Sequence, residues 1–455
     1  MITENPGFLI GEACGGRTMG DTTTIWLLEL LEIYQSTGNI TRLQAAWPAA
    51  VKGINWQIAV SQAYGIPAHL VCTYGARSPL LCANSLNSLP QAHPRTSPPT
   101  LTHFTYSYSL LLTPLSDILG MERYNSTTFN GVLHIAAMAA GEVMAAAVGD
   151  AATGAAAAAA RATAVAVMTG PLMWNASLGF FRAYTGGNAI MADCLYGQQV
   201  ALAHGLGWLL PQGMIAQHLA AEARYNANAY GLTVVKGRNE PLDSGLEQAA
   251  AAPAPPADAI ATRKNARAAD VAGFMQSLRA RQDGQDDAVW LGSGPTWSCL
   301  ALALGAAGPA GGNVTAALEP TRWILSNYRD RLRSMWDLTG LSTTDSWGSD
   351  AANGQPFCTS HYGFALTDFY IVYALSGQQT NIPKGTLTFA PLYAPPYTLP
   401  WAFMGSEGTL SADAAGKVTF SVAFGSVSLP AGGLAVSGRA YAGAVSLGAG
   451  QSVTW

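Results

Sequence analysis

Apolar positions recur at helical spacing through most of the chain. Between Asp21 and about Tyr64, residues Trp26, Leu27, Leu30, Leu31 and Tyr34 fall three or four apart, which predicts one buried helix face. Asp21 with its three threonines offers an N-cap, Gly38-Asn39 breaks the run, and a second helix is predicted from about Thr41 to Ala63. Helices are predicted again at Asn130–Val148, Ala151–Met168, Ile190–His204 and Gln212–Ala227, and near 265–281, 295–306, 314–337 and 362–376. After Pro383 the period changes to two. Thr386-Leu-Thr-Phe, Val418-Thr-Phe-Ser-Val, Val427-Ser-Leu and Leu434-Ala-Val-Ser alternate between Gly-rich turns, as in an antiparallel sheet. Consecutive helices of similar length, about ten to twelve with short links, suit paired helices around a central cavity. The expected fold is mainly α: an (α/α)6 toroid-like barrel over 1–382 and a small C-terminal β region over 383–455.

Two stretches interrupt this order. Residues 75–116 are rich in proline and serine, contain no Asp, Glu or Lys, and hold neither period apart from Thr105-Tyr-Ser-Tyr-Ser. So long a structureless stretch reads either as a surface loop or as an insertion into the fold. Residues 240–262, with Ala-Ala-Ala-Ala-Pro-Ala-Pro-Pro, read as a flexible excursion.

Composition narrows the function. The chain has 455 residues, 49% hydrophobic and only 11% charged, and a formal net charge of -4. With 12 Trp, 17 Tyr and 13 Phe it can bury a large core, which excludes disorder of the whole chain. The weak negative charge argues against a nucleic-acid binder. The longest apolar stretch, near 143–170, is broken by Asp150 and Arg161, so a buried Ala-rich helix pair is expected rather than a membrane span. Sequons at Asn39, Asn125, Asn175 and Asn313 permit secretion without requiring it.

Most catalytic chemistries lack their residues. The six cysteines form no CxxC pair, and the seven histidines form no HxxxH or HxH, so no metal site and no cofactor are expected. His204 and His218 sit in helical segments, where a lone histidine serves mostly as a core or surface residue. No G-x-S-x-G elbow and no phosphate-binding loop occur. Carboxylates remain. Asp193 lies in Ile190-Met-Ala-Asp-Cys-Leu-Tyr-Gly-Gln-Gln, an otherwise apolar segment. A desolvated acid there has a raised pKa suited to protonating a leaving group; alternatively Asp193 caps the following helix. Asp117 and Glu122 flank Ile-Leu-Gly-Met, with Tyr124 beside them. Trp174, Trp290, Trp297 and Trp347 lie near Gly-rich links, where an exposed ring stacks on a sugar and a buried one fills the core.

The Asp193 segment resembles the I-M-x-D-Q-x-x-G-Q-W motif of glycoside hydrolase family 116, which includes β-glucosidases and non-lysosomal glucosylceramidases. Trp174-Asn175 and Gly179-Phe-Phe-Arg-Ala-Tyr184 are similar to the family's W-N-G-x-Y-Y-x-Y. Gly20-Asp-Thr-Thr-Thr, Tyr34-Gln-Ser-Thr-Gly, Trp47-Pro48 and Asp287-Ala-Val-Trp290 follow in the family's order, and the resemblance covers about 10–380 apart from the insertions. The family's N-T-Y-D motif is split here: Cys72-Thr73-Tyr74 supplies its first half and Asp117-Ile-Leu-Gly its second. Removal of 75–116 restores T-Y-D-I-L-G, so that segment is expected to be a late, loosely packed insertion.

The resemblance implies a retaining glycosidase with two carboxylates about 5–5.5 Å apart across the glycosidic bond. Asp193 would be the acid/base, and Asp117 would hydrogen-bond a sugar hydroxyl. The family nucleophile is a Glu shortly before T-Y-D. Here Gly65-Ile-Pro-Ala-His-Leu-Val-Cys holds no carboxylate, Ala68 falls near that position, and Glu122 is the substitute. Glu4 imitates an I-E-N-x-G motif, but out of order. The family's late Glu and Arg are also unmatched, leaving Asp350 and His361 for polar contacts, with Tyr124, Trp174 and Trp290 as sugar-facing rings. The family carries an N-terminal β-sandwich that is not seen here, so the chain is expected to be a fragment. The expected activity is hydrolysis of a β-glucoside-like carbohydrate or glycolipid, such as glucosylceramide. The alternative is a catalytically degenerate carbohydrate-binding relative.

Overall fold

The computed structural model describes residues 22–62, 64–67, 126–185, 187–228, 231–237, 288–290, 292–326, 329–330, 339–342 and 369–455. Among these are nine α-helices. They are α1 (Thr22–Thr37), α2 (Ile40–Ser61), α3 (Thr128–Val148), α4 (Ala151–Thr169), α5 (Tyr196–Ala203), α6 (Gln212–Tyr225), α7 (Ser293–Leu304), α8 (Val314–Leu325) and α9 (Phe369–Ser376). The insertions at 75–116 and 240–262 lie outside the described residues.

Helix α3 is the hub. Alanine, glycine and methionine make it apolar on nearly every side, and from Thr128 to Gly141 almost every residue is buried. Helices α1, α2, α4 and α5 all pack on it, as expected of a helix with no polar face. Its ends are capped: Thr127 accepts from the Asn130 amide, and Gly149 closes it at φ 83°, a left-handed geometry that glycine adopts without strain. Helix α4 differs. Asp150 caps it, accepting from the Thr153 amide at 3.0 Å and from Trp47 Nε1 at 3.1 Å, and Arg161 pairs with Glu142 of α3. Both helices are long and apolar enough to cross a membrane, but α3 lies inside the protein, and α4 packs on it through the buried Ala157, Ala164 and Met168 while its other faces are exposed or half-buried. The expected buried pair therefore holds for α3 on nearly every side and for α4 along one face.

Short antiparallel strand pairs run between the helices. Strands β1 (Trp174–Asn175) and β2 (Phe180–Phe181) pair, as do β3 (Ile190–Met191) with β6 (Val235–Lys236), β4 (Ala227–Asn228) with β5 (Gly231–Leu232), and β7 (Ala288–Trp290) with β8 (Thr339–Ser342). After α9 come β9 (Gln379–Asn381), β10 (Thr386–Phe389), β11 (Tyr397–Phe403), β12 (Ser406–Ala412), β13 (Val418–Phe424), β14 (Ser426–Leu429), β15 (Leu434–Val436), β16 (Arg439–Ala440), β17 (Val445–Gly448) and β18 (Ser452–Thr454). They form two four-stranded sheets, β16-β15-β10-β9 and β11-β12-β13-β18, and the pair β14-β17, around their own core. Trp401 centres that core, stacked on Phe420 at 4.6 Å and donating Nε1 to the Ser421 carbonyl at 3.1 Å.

This corrects the expected (α/α)6 toroid-like barrel. The described residues do not form a ring of helical hairpins: α5 and α9 span only eight residues each, and strand pairs stand between the helices. The C-terminal β structure is also a two-sheet assembly rather than a small appendage. Helical periodicity identifies individual amphipathic helices, whereas closure into a ring depends on long-range packing that periodicity does not encode. The helix predicted at Ile190–His204 starts six residues late, because Ile190 and Met191 pair with Val235 and Lys236.

Gly197 sets how closely α5 approaches α3. A Cβ there would meet the Leu133 amide nitrogen and the Val132 carbonyl at 2.7 Å, and backbone cannot step aside. Gly197→Ala is expected to cost about 1–3 kcal/mol or more, read as a lower urea midpoint at unchanged slope. Gly213 of α6 meets nothing within 4 Å. Gly213→Ala is expected to be stabilising by up to about 1 kcal/mol in the same assay.

Candidate active site

The site is built where β3 turns into α5. The Ala192 amide bonds the Val234 carbonyl at 2.8 Å, and the chain then reverses at Asp193, whose φ is 74°. Aspartate is among the few non-glycine residues that visit this left-handed region. The turn sends the carboxyl inward. Asp193 Oδ1 lies 2.6 Å from Thr296 Oγ1 on α7, and that hydroxyl lies 2.8 Å from Gln199 Oε1 on α5. Helix α5 is capped at Leu195 with no side-chain bond, so the reading of Asp193 as a helix cap fails.

The neighbouring residues of the motif are structural. Gln198 Oε1 accepts the Leu209 and Leu210 amides at 2.8 and 3.2 Å, and its Nε2 donates to the Gly207 carbonyl at 3.1 Å, holding the loop before α6. Gln199 Nε2 donates to Cys299 Sγ at 3.4 Å.

Behind Asp193 lies a sealed cluster. Cys194 Sγ is 3.2 Å from His218 Nε2, which is 2.9 Å from Glu222 Oε1. Asp193, His218 and Glu222 are 3%, 0% and 2% exposed. The Phe181 amide donates to His218 Nδ1 at 3.1 Å. That nitrogen therefore carries no hydrogen, and the neutral ring carries it on Nε2, where it donates to Glu222.

The tautomer decides a second question. The ligand atoms of Cys194, His218 and Glu222 lie within 4.8 Å of one another, close enough to hold a metal ion. A ring whose Nδ1 accepts from an amide offers no lone pair at Nε2, so this donor set fits a hydrogen-bonded cluster rather than a metal centre. Burial, and the charges of Glu222 and Asp193, push the Cys194 thiol well above its ordinary range, so it is no thiolate nucleophile.

Burial dominates the carboxyls as well. Asp193 is pushed up to about 7, mainly by desolvation and further by the Glu222 charge, against a lowering by Thr296. Glu222 is also raised by burial, partly offset by His218.

Of the candidates read from the sequence, Asp193 stands in this cluster. Trp174 is half-buried with its ring edge-on to Phe181 at 4.8 Å, and Phe181 in turn lies 5.5 Å from His218, so Trp174 supports the cluster from behind. Trp290 lies on β7 opposite Thr339, and its side chain is outside the described residues. Glu122, Asp117, Tyr124, Asp350 and His361 also lie outside them. Thr296, His218 and Glu222 were not singled out as partners of Asp193. The i, i+4 spacing of His218 and Glu222 was visible, but their meeting with Cys194 was not.

Proton linkage gives a test. The folded state binds the Asp193 proton more tightly than an unfolded chain, where aspartate titrates near 3.8. The stabilisation is complete below that pH and is lost as pH rises through about 7. Urea midpoints measured from pH 4 to 8 should fall more steeply for the wild type than for Asp193→Asn, which has no proton to lose. Glu222 is present in both proteins, so the difference reports Asp193 together with its coupling to Glu222.

No family model matches the sequence, and no curated protein matches it. Among solved structures the chain is similar to a sialidase, at 15% identity and TM-score 0.41 over 66% of this chain and 25% of that one. It is also similar to a GH78 family rhamnosidase of Bacillus sp. GL1, at 12% identity and TM-score 0.44 over 92% of this chain and 33% of that one. The chain thus spans a quarter to a third of these structures. Both are glycoside hydrolases, and neither belongs to family 116. At these TM-scores the likeness places no residue, so function is argued from the cluster itself.

Proposed function

We propose that the chain acts on O-glycosidic bonds as a glycoside hydrolase, with Asp193 as general acid. One observation carries this reading. Asp193 is sealed from water and pushed up to about 7, so near neutral pH it holds a proton that it can give up. A carboxylic acid poised near the working pH is what protonation of a departing glycosidic oxygen requires. The family 116 resemblance around Ile190–Gln199 supports a β-glucoside-like substrate, glucosylceramide among them. A second carboxylate would attack the anomeric carbon or activate water. Glu122 is the sequence's candidate for that role. Glu222 is not, because its oxygen accepts from His218 and its charge serves to raise Asp193.

A second reading, a carbohydrate-binding relative without turnover, is favoured by the same burial. Asp193 is almost inaccessible and its Oδ1 is engaged by Thr296. Turnover of aryl β-glucosides separates the two. The hydrolase reading expects kcat/KM to fall as pH rises through about 7, because only the protonated acid works, and to fall again at low pH as the second carboxylate takes up a proton. It also expects Asp193→Asn to lose about 100- to 10,000-fold in activity while remaining folded. Saccharide binding with no turnover in the wild type would leave the second reading standing.

A further inference from the structure

We infer that Gln199 is a positioning residue that keeps a proton on Asp193 through Thr296, in a row in which Asp193 donates to Thr296 Oγ1 and Thr296 donates to Gln199 Oε1. The argument is a count of hydrogens. Thr296 Oγ1 lies 2.6 Å from Asp193 Oδ1 and 2.8 Å from Gln199 Oε1. A hydroxyl has one hydrogen, and neither an ionised carboxylate nor an amide oxygen has any. Three oxygens in a row at these separations need two hydrogens between them. With the Gln199 amide nitrogen turned to Cys299 Sγ, no other described group supplies the second, so the row assigns it to Asp193 and the carboxyl is protonated. The remaining described groups facing it agree. Glu222 on α6 is an acid, His218 is a neutral ring whose hydrogen goes to Glu222, and Cys194 is a thiol; none of them supplies a positive charge to hold a carboxylate.

The two neighbours act in opposite directions. When Asp193 ionises, Thr296 must turn its hydrogen to the carboxylate and abandon Gln199, so Gln199 resists ionisation by competing for that hydrogen. Among the described residues Thr296 is the donor that reaches the ionised form, and a hydrogen bond to a charged oxygen is stronger than one between neutral groups. Removal of Gln199 Oε1 should therefore lower the Asp193 pKa, and removal of the Thr296 hydroxyl should raise it.

This rests on Asp193 as the acid of the proposed hydrolase, yet its test does not need turnover. The carboxyl is titrated directly in the full-length chain, by the infrared carbonyl band that is absent from Asp193→Asn. Gln199→Met should move the titration down by about one pH unit, a tenfold change in the ionisation constant, and Thr296→Val should move it up. Thr296→Ser, which restores the hydroxyl, should return it to the wild-type position. Shifts of the same sign in both variants, or an unmoved titration in Gln199→Met, overturn the inference. Should Thr296→Val fail to fold, the sign of the Gln199→Met shift decides alone. If the opposite shifts are found and no glycoside is turned over, the proton row stands and the hydrolase reading falls.

Discussion

Withdrawing a carboxyl from water is the constraint around which this region is arranged. An ionised carboxylate is costly in a poorly polarisable interior unless a cation meets it. Among the described residues none meets Asp193. The fold places Glu222, a second acid, within electrostatic reach and binds the nearest ring, His218, in the tautomer that serves Glu222. The backbone amide of Phe181 fixes that tautomer, so a main-chain group on β2 controls which side chain receives the ring hydrogen. Neutrality is the inexpensive state for Asp193, and the same condition equips it to deliver a proton.

Holding such a cluster requires close packing on its far side. Helix α3 supplies it with alanine and glycine, which let α5 come near enough for backbone to touch Gly197. Strand pairing between β3 and β6 then fixes the chain just before Asp193, and the left-handed turn at that residue swings the carboxyl toward α7. Glycine at 197, two glutamines at 198 and 199 and the acid at 193 thus act as one unit: approach, loop anchor, hydroxyl partner and proton carrier.

Parts of this were legible. The helices around Leu27, Ile135 and Ile215 followed from apolar spacing, and the strands at Thr386, Val418, Val427 and Leu434 from alternation. Strands β11 and β12 were not read, because Pro400, Gly408 and their Thr and Ser neighbours dilute the pattern. The run at Ile190 looked like a helix start, since two apolar residues before an acid carry no mark of a strand partner some 45 positions on. Trp174, which the sequence left open between sugar-facing ring and core, is half-buried and packs edge-on to Phe181.

By itself the sequence determined that the chain is rich in buried helix, that its C-terminal part alternates as strand, and that an isolated acid sits in an apolar segment. Those properties are local: side-chain volume, periodicity and the scarcity of charge act over a few residues. The tertiary structure alone decided that the described helices do not close into a ring and that α4 buries only the face of Ala157, Ala164 and Met168. It also decided that Thr296, 103 positions from Asp193, supplies the partner of its carboxyl. Contacts of that range depend on how whole elements pack, and no spacing along the chain encodes them.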